Sequence, residues 1–234
     1  MKFRHVSVLA LSLALAVSAV AQEPAKSAAQ EIVSDPALRA ELLTILEADQ
    51  QDRLKLESLA RVHGYNSPEV QALWPVMREK DAANLTKIAA ILDARGWVGP
   101  EVVGQKASGA LFLVIQHSDT AAQKKYLPLL RDAVRDIKAP AANLALMEDR
   151  VALAEGRPQT YGSQLRQNGN DSRLFVSPLA DPDHVDERRA AIGLPPMAEY
   201  LKHWKLPWDV EAYKRELPEL EKLQWGDTPR PAGN

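Results

Sequence analysis

The sequence predicts a mainly α-helical fold, a compact multi-helix array of about five longer helices with a small β-hairpin and short C-terminal helices. Three observations carry this. Apolar residues recur at helical spacing through long stretches. Most of these stretches open on Ser, Asp or Pro, and three of them close on Gly. One Asn-Gly-Asn-Asp segment between two short apolar runs reads as a hairpin turn.

Ser34-Asp35-Pro36 opens the first helix, which runs to about Val62 and stops at His63-Gly64. Ser67-Pro68-Glu69 opens a second that ends at Arg95-Gly96; Pro75 lies inside it, so the helix begins or kinks there. Val103 to His117 forms a third, apolar on every side between Ala110 and Ile115 and therefore buried. A buried strand over Leu111–Gln116 is the alternative, because short apolar runs fit both. Asp119 or Thr120 caps a fourth helix to about Lys138, and Pro140 opens a fifth that stops at Gly156. Tyr161–Leu165 and Leu174–Ser177 flank the hairpin turn at Asn168-Gly169-Asn170-Asp171, and short helices follow near Asp183–Ile192 and Pro196–Trp204.

The ends of the chain read differently. Lys2 and Arg4 precede an apolar run from Val6 to Val20, and Ala19-Val20-Ala21 has the small-residue pattern of a signal-peptide cleavage site. The expectation is export to the periplasm or beyond, with cleavage after Ala21 and no stable membrane span afterwards. Residues 22–35 are expected to be a flexible linker, 36–225 a single helical domain and 226–234 a disordered tail. With 29 basic and 31 acidic residues there is no basic excess, which argues against nucleic acid or an anionic membrane as the main partner. The chain has no cysteine, so disulfides, thiolate metal sites and a lipid-anchored cysteine are excluded.

Several polar residues sit where helix periodicity calls for apolar ones. Asp49 and Arg53 fall in the stripe defined by Leu38, Leu42, Ile45, Leu46, Leu56 and Ala60, and their i, i+4 spacing lets their side chains meet. Asp81 and Asn84 interrupt the stripe of Leu73, Met77, Leu85, Ile88, Ile91 and Leu92, while Arg150 shares an arc with Leu146, Met147, Val151 and Ala154. Buried charge costs several kcal/mol per ion unless it is paired and hydrogen-bonded. Two readings follow. In one, these residues form a structural network, with Asp49–Arg53 and Asp81–Arg150 as ion pairs. In the other they line a polar pocket for an anionic small molecule, with Arg53 and Arg150 as anchors.

His117, in Gln116-His117-Ser118-Asp119, leaves the buried run at the core boundary, as a core histidine or as an acid–base group beside Asp49 or Asp81. The pocket reading makes His117, Asp49 and Asp81 catalytic, in a hydrolase or lyase. It adds Arg53, Asn84, Gln116, Asp119, Asp149, Arg150, Gln159, Tyr161 and Gln164 as ligand contacts, with the Gln159–Gln164 loop as a lid. The network reading makes the protein a non-catalytic interaction or scaffold protein. No histidine pair has ligand spacing, so neither a metal nor another cofactor is expected. No nucleotide-binding or serine-nucleophile motif is present, and the sequence names neither a reaction nor a protein partner.

Taken in order, Asp81 and Asn84, Gly96-Trp97, Val103-Gly104, Gln116-His117-Ser118-Asp119, Asp149-Arg150 and the Gly156–Gln164 segment resemble the signature of an uncharacterised bacterial domain family. The resemblance continues through Asp181, Val185-Asp186, Arg188-Arg189, Gly193-Leu194-Pro195-Pro196 and Glu199-Tyr200, covering about residues 36–204. Ser118 and Ser163 stand where alanine and threonine are usual, and Val98 where proline is common. The resemblance implies the extent of the domain and the choice of residues, and supplies no reaction.

Overall fold

The computed structural model describes residues 33–168 and 173–226. The expected signal peptide, residues 22–32 of the linker, the Gly169-Asn170-Asp171 part of the turn and the tail from residue 227 lie outside them. The described residues are mainly α-helical, with one small antiparallel hairpin, and form two compact units that divide after Pro140.

The first unit holds α1 (Pro36–His63), α2 (Pro68–Arg95), α3 (Pro100–Val103), α4 (Gln105–His117) and α5 (Thr120–Arg135). Side chains at the helix starts accept otherwise unsatisfied backbone N–H groups: Asp35 from Leu38 at 3.0 Å, Ser67 from Val70 at 3.3 Å and Asp119 from Ala122 at 2.8 Å. Gly64 and Gly96 end α1 and α2 at φ of 83° and 70°, a region that favours glycine. Gly104, at φ 82°, separates α3 from α4, so the expected helix from Val103 is two helices. Pro75 does not divide α2. The strand alternative for Leu111–Gln116 falls, because this segment is the body of α4.

The α1–α2 hairpin is antiparallel through a short turn, and α4 packs against both helices. Leu42, Ile45, Ile88, Leu111 and Ile115 are at most 2% exposed and form the centre of this unit. Beyond the reach of α4 the hairpin closes on its own cluster of Leu56, Ala60, Val70, Leu73 and Met77.

The second unit begins with α6 (Ala141–Ala154) and continues with β1 (Leu165–Gln167) and β2 (Leu174–Val176). The strands pair antiparallel with Leu165 opposite Val176, Arg166 opposite Phe175 and Gln167 opposite Leu174. A 3₁₀ turn (Pro182–His184), α7 (Val185–Ala190), α8 (Met197–Lys202) and α9 (Val210–Trp225) follow. Leu165, Phe175, Val176, Leu179, Val185, Met197, Leu201, Tyr213 and Leu220 form its core.

Two expectations need correction here. Residues 161–164 are not strand, because their backbone N–H groups are engaged by the buried side chains of an acid and a glutamine described below. The sixteen-residue α9 is an additional long helix beyond the five expected. Asp209 caps it, accepting from Ala212 at 2.9 Å, and Tyr213, Leu217 and Leu220 give it an i, i+4, i+7 contact stripe. No helix among the described residues is long and apolar enough to cross a membrane.

Candidate functional site

Asp49 is central to the polar network of the first unit. It is 1% exposed, on the face of α1 that α4 and α2 cover. Both of its carboxylate oxygens lie 3.1 Å from His117 Nδ1, at the end of α4, and Oδ2 accepts from Gln50 Nε2 at 2.6 Å. Arg53, one turn further along α1, donates from Nη1 to the Asp49 carbonyl at 2.6 Å, and the same atom stands 3.3 Å from Asp49 Oδ1. Its Nη2 donates to both oxygens of Asp81 on α2, at 2.9 and 3.0 Å. One guanidinium thus serves two carboxylates, and the chain Asp81–Arg53–Asp49–His117 ties three helices together.

The Asp49–Arg53 contact expected from i, i+4 spacing is present. The sequence suggested Arg150 as the partner of Asp81; Arg53 takes that role, since it sits opposite Asp81 in the antiparallel hairpin. Stepping one turn from this contact in opposite directions leads to Asp49 on α1 and Asn84 on α2, which therefore occupy one level of the hairpin. Asn84 is 3% exposed, and its Nδ2 is buried without a hydrogen-bond partner. The network reaches solvent at Arg53 and Asp81, whose side chains are each 18% exposed, against 4% for His117.

The two acids are shifted in opposite directions. Burial works to raise Asp49, but the hydrogen bond and charge of His117, together with Arg53, outweigh it and hold the carboxyl below its usual range. Burial pushes Asp81 up, and the attached Arg53 guanidinium only partly offsets this. Gln116 is buried and its carbonyl accepts from Gln123 Nε2 at 3.0 Å. Asp119 is exposed and serves as the N-cap of α5.

The remaining predicted residues belong to the second unit, around Asp149. This residue is fully buried on α6, and its carboxylate accepts the backbone N–H groups of Thr160 at 2.7 Å, Tyr161 at 3.0 Å and Ser163 at 3.0 Å. The carboxylate therefore organises the 160–163 backbone, which explains why no strand forms there. Burial raises the Asp149 pKa despite these donors. Gly162 turns at φ 66°, where a Cβ would lie 2.7 Å from Met197 Sδ, so the loop packs closely on α8.

Gln159, also fully buried, uses both ends of its amide. Oε1 accepts from the Gln164 N–H at 2.8 Å, and Nε2 donates to the carbonyls of Gln164 at 3.0 Å and Ser177 at 2.7 Å. Gln164 Nε2 donates to Ser163 Oγ at 2.9 Å. Tyr161 is half-buried, and its carbonyl accepts from Arg189 Nη1 at 2.6 Å. Burial lowers the Arg150 pKa to about 10.

Sequence reasoning did not place Arg189 in a site. It is 1% exposed, donates from Nε to the Pro195 carbonyl at 2.6 Å, and lies 4.8 Å over the Tyr200 ring. Tyr200 in turn donates to the Ser163 carbonyl at 2.8 Å. Its sequence signal was the Arg188-Arg189 pair of the family-like motif, but one arginine on a short amphipathic segment looks the same buried or exposed.

Among the described residues, no group of three or more His, Cys, Asp and Glu is placed to hold a metal ion. A family model described as a family of unknown function (DUF6624) matches residues 36–212. No curated protein and no solved structure matches the chain.

Proposed function

The chain belongs to this family of unknown function, DUF6624, and from that premise we propose that it is an exported, non-catalytic interaction or scaffold protein whose buried polar residues hold its helices and loops in place. One observation carries the reading: Arg53, Asp49, Asp81 and Asp149 use their charges within their own networks. Arg53 is divided between Asp49 and Asp81, so its charge is already matched before any anion arrives. In the second unit Asp149 is engaged by three backbone donors and Gln159 by three hydrogen bonds, which ties the loop down from within.

A second reading has one observation in its favour. A carboxylate on Nδ1 of an imidazole is the arrangement that orients an acid–base histidine, and Arg53 and Asp81 extend the network to the surface. In that case the network is a small-molecule site.

Stability measurements separate the two. Removing one member of a buried, hydrogen-bonded charge network leaves its partners uncompensated and costs about 3–5 kcal/mol. Asp49→Asn should approach that loss in equilibrium denaturation, and Arg53→Met should lose less because its side chain is 18% exposed. Groups kept for binding or chemistry often cost stability, so their removal tends to be neutral or stabilising. If both variants unfold at or above the wild-type midpoint, the scaffold reading is wrong and the site reading stands.

A further inference from the structure

The contact between His117 and Asp49 lies where α4 ends. Just before α4 begins, the Val103 carbonyl at the end of α3 accepts from Arg39 Nη1 on the first turn of α1 at 3.0 Å. The α3–α4 segment therefore accompanies α1 from Arg39 to Asp49. Past that level α1 and α2 continue as a two-helix arm closed by its own apolar cluster. The last side chain that ties α4 to the base of this arm is an imidazole, the side chain whose charge changes between about pH 5 and 8.

Charged groups reach this imidazole from both α1 and α2. α1 contributes Asp49 in contact, with Arg53 attached to it, and α2 contributes Asp81 at longer range. Its own helix adds the neutral Gln116, and α5 adds the neutral Gln123, held on the carbonyls of Gln116 and Ser118. With His117 neutral, this group carries two carboxylates against one guanidinium. With His117 protonated the charges balance, and the contact with Asp49 becomes charge-assisted, roughly twice as strong as a neutral hydrogen bond.

We propose that His117 is a pH-sensitive latch: protonated, it clamps the end of α4 to α1 through Asp49, and on losing its proton it lets the base of the α1–α2 arm open more readily. The proposal rests on the structural reading of the network given above and adds its regulation. The direction follows from linkage, since a contact that the proton strengthens is strongest at low pH and weakens as pH rises through the titration of the histidine.

The test is residue-resolved hydrogen exchange on the full chain, corrected for the intrinsic pH dependence of amide exchange. His184 carries a contact with Asp181 in the other unit that holds its pKa above the usual imidazole value, so a global melting curve would mix the two histidines. For α1 amides from Leu46 to Leu56 and α4 amides from Phe112 to His117, the opening equilibrium of the wild type should rise roughly tenfold between about pH 6 and pH 8. In His117→Gln, which keeps hydrogen-bonding capacity but cannot ionise, it should change less than about twofold.

A wild type with no rise, or a variant with the same rise, overturns the latch. If the variant opens more than wild type by the same factor at both pH values, the latch fails and the scaffold reading survives. If it opens no more than wild type at pH 6, the scaffold reading fails as well. Should His117→Gln not fold, imidazole NMR of the wild type decides. The ring must change charge state in step with the exchange rates, and a ring that keeps one state from about pH 5 to pH 8 refutes the proposal.

Discussion

Asp149 and Asp49 are both buried acids, yet they do different work, and a neutral amide would fail in each for a different reason. Asp149 faces three backbone N–H donors and needs acceptors on both oxygens. An asparagine there would turn one NH₂ group toward N–H groups, leaving buried donors unsatisfied, at about 1–3 kcal/mol for each. Asp149→Asn should therefore lose roughly 3 kcal/mol or more in denaturant unfolding and release the amides of residues 160–163 to faster exchange. A loss under about 0.5 kcal/mol, the range of surface substitutions, would show that the carboxylate does not organise the loop. Asp49 instead balances one guanidinium and one imidazole across α1 and α4. Helix periodicity exposed the misplaced charge at Asp49; on α6 it singled out Arg150, and Asp149 entered only through the family-like motif. Periodicity could identify the i, i+4 partner of Asp49, because that contact is local, but not Arg53 as the partner of Asp81, twenty-eight residues away.

Among the elements, starts and stops were the most legible feature. Asp35, Ser67 and Asp119 each hold a backbone N–H three residues on, and Gly64 and Gly96 adopt the positive φ that ends a helix. These are short-range interactions and can be read from neighbouring letters. They also give Asp119 a role: Asp119→Ala should lower stability by about 1 kcal/mol while Asp119→Asn stays near wild type. Neither should change the imidazole NMR signals of His117 if Asp119 is a cap; a shift with both variants would place it in the His117 network instead. α9 was missed for the converse reason. Its sequence is rich in Glu and Lys and contains Pro218, so its own periodicity is diluted, and what stabilises it is the cluster of Leu165, Phe175, Val176 and Leu201 that it joins. The place of residues 161–164 beside the hairpin turn suggests a strand, but Asp149 takes the N–H groups of Tyr161 and Ser163, and Gln159 that of Gln164, before a ladder can form.

For the whole molecule, the acids set how stability responds to falling pH. Asp49 is held below its ordinary value of 3.8, so the stability it contributes is complete above that value and disappears as pH falls below it. Asp81 is raised, so its ionisation opposes folding near neutrality, and that penalty is relieved as it takes up a proton in mild acid. Unfolding monitored from about pH 7 to pH 2 should show the first unit gaining stability in mild acid and losing it below about pH 4. Asp81→Asn should flatten the gain and Asp49→Asn the loss; a loss that begins above pH 5 in the wild type and persists in Asp49→Asn would reverse these assignments. By itself the sequence determined the helical class, most helix boundaries and the inward position of Asp49 and Asn84, because each of these depends on residues within one or two turns of one another. It also carried a family-like signature over about residues 36–204, within the 36–212 span that the family model matches. Only the tertiary structure decided that the inward polar residues form an Asp81–Arg53–Asp49–His117 chain in the first unit and an Asp149-centred loop clamp in the second. The physical reason is that a buried charge can be satisfied by any group the fold brings within hydrogen-bonding distance, and helix periodicity gives the direction of a side chain without naming the helix it meets.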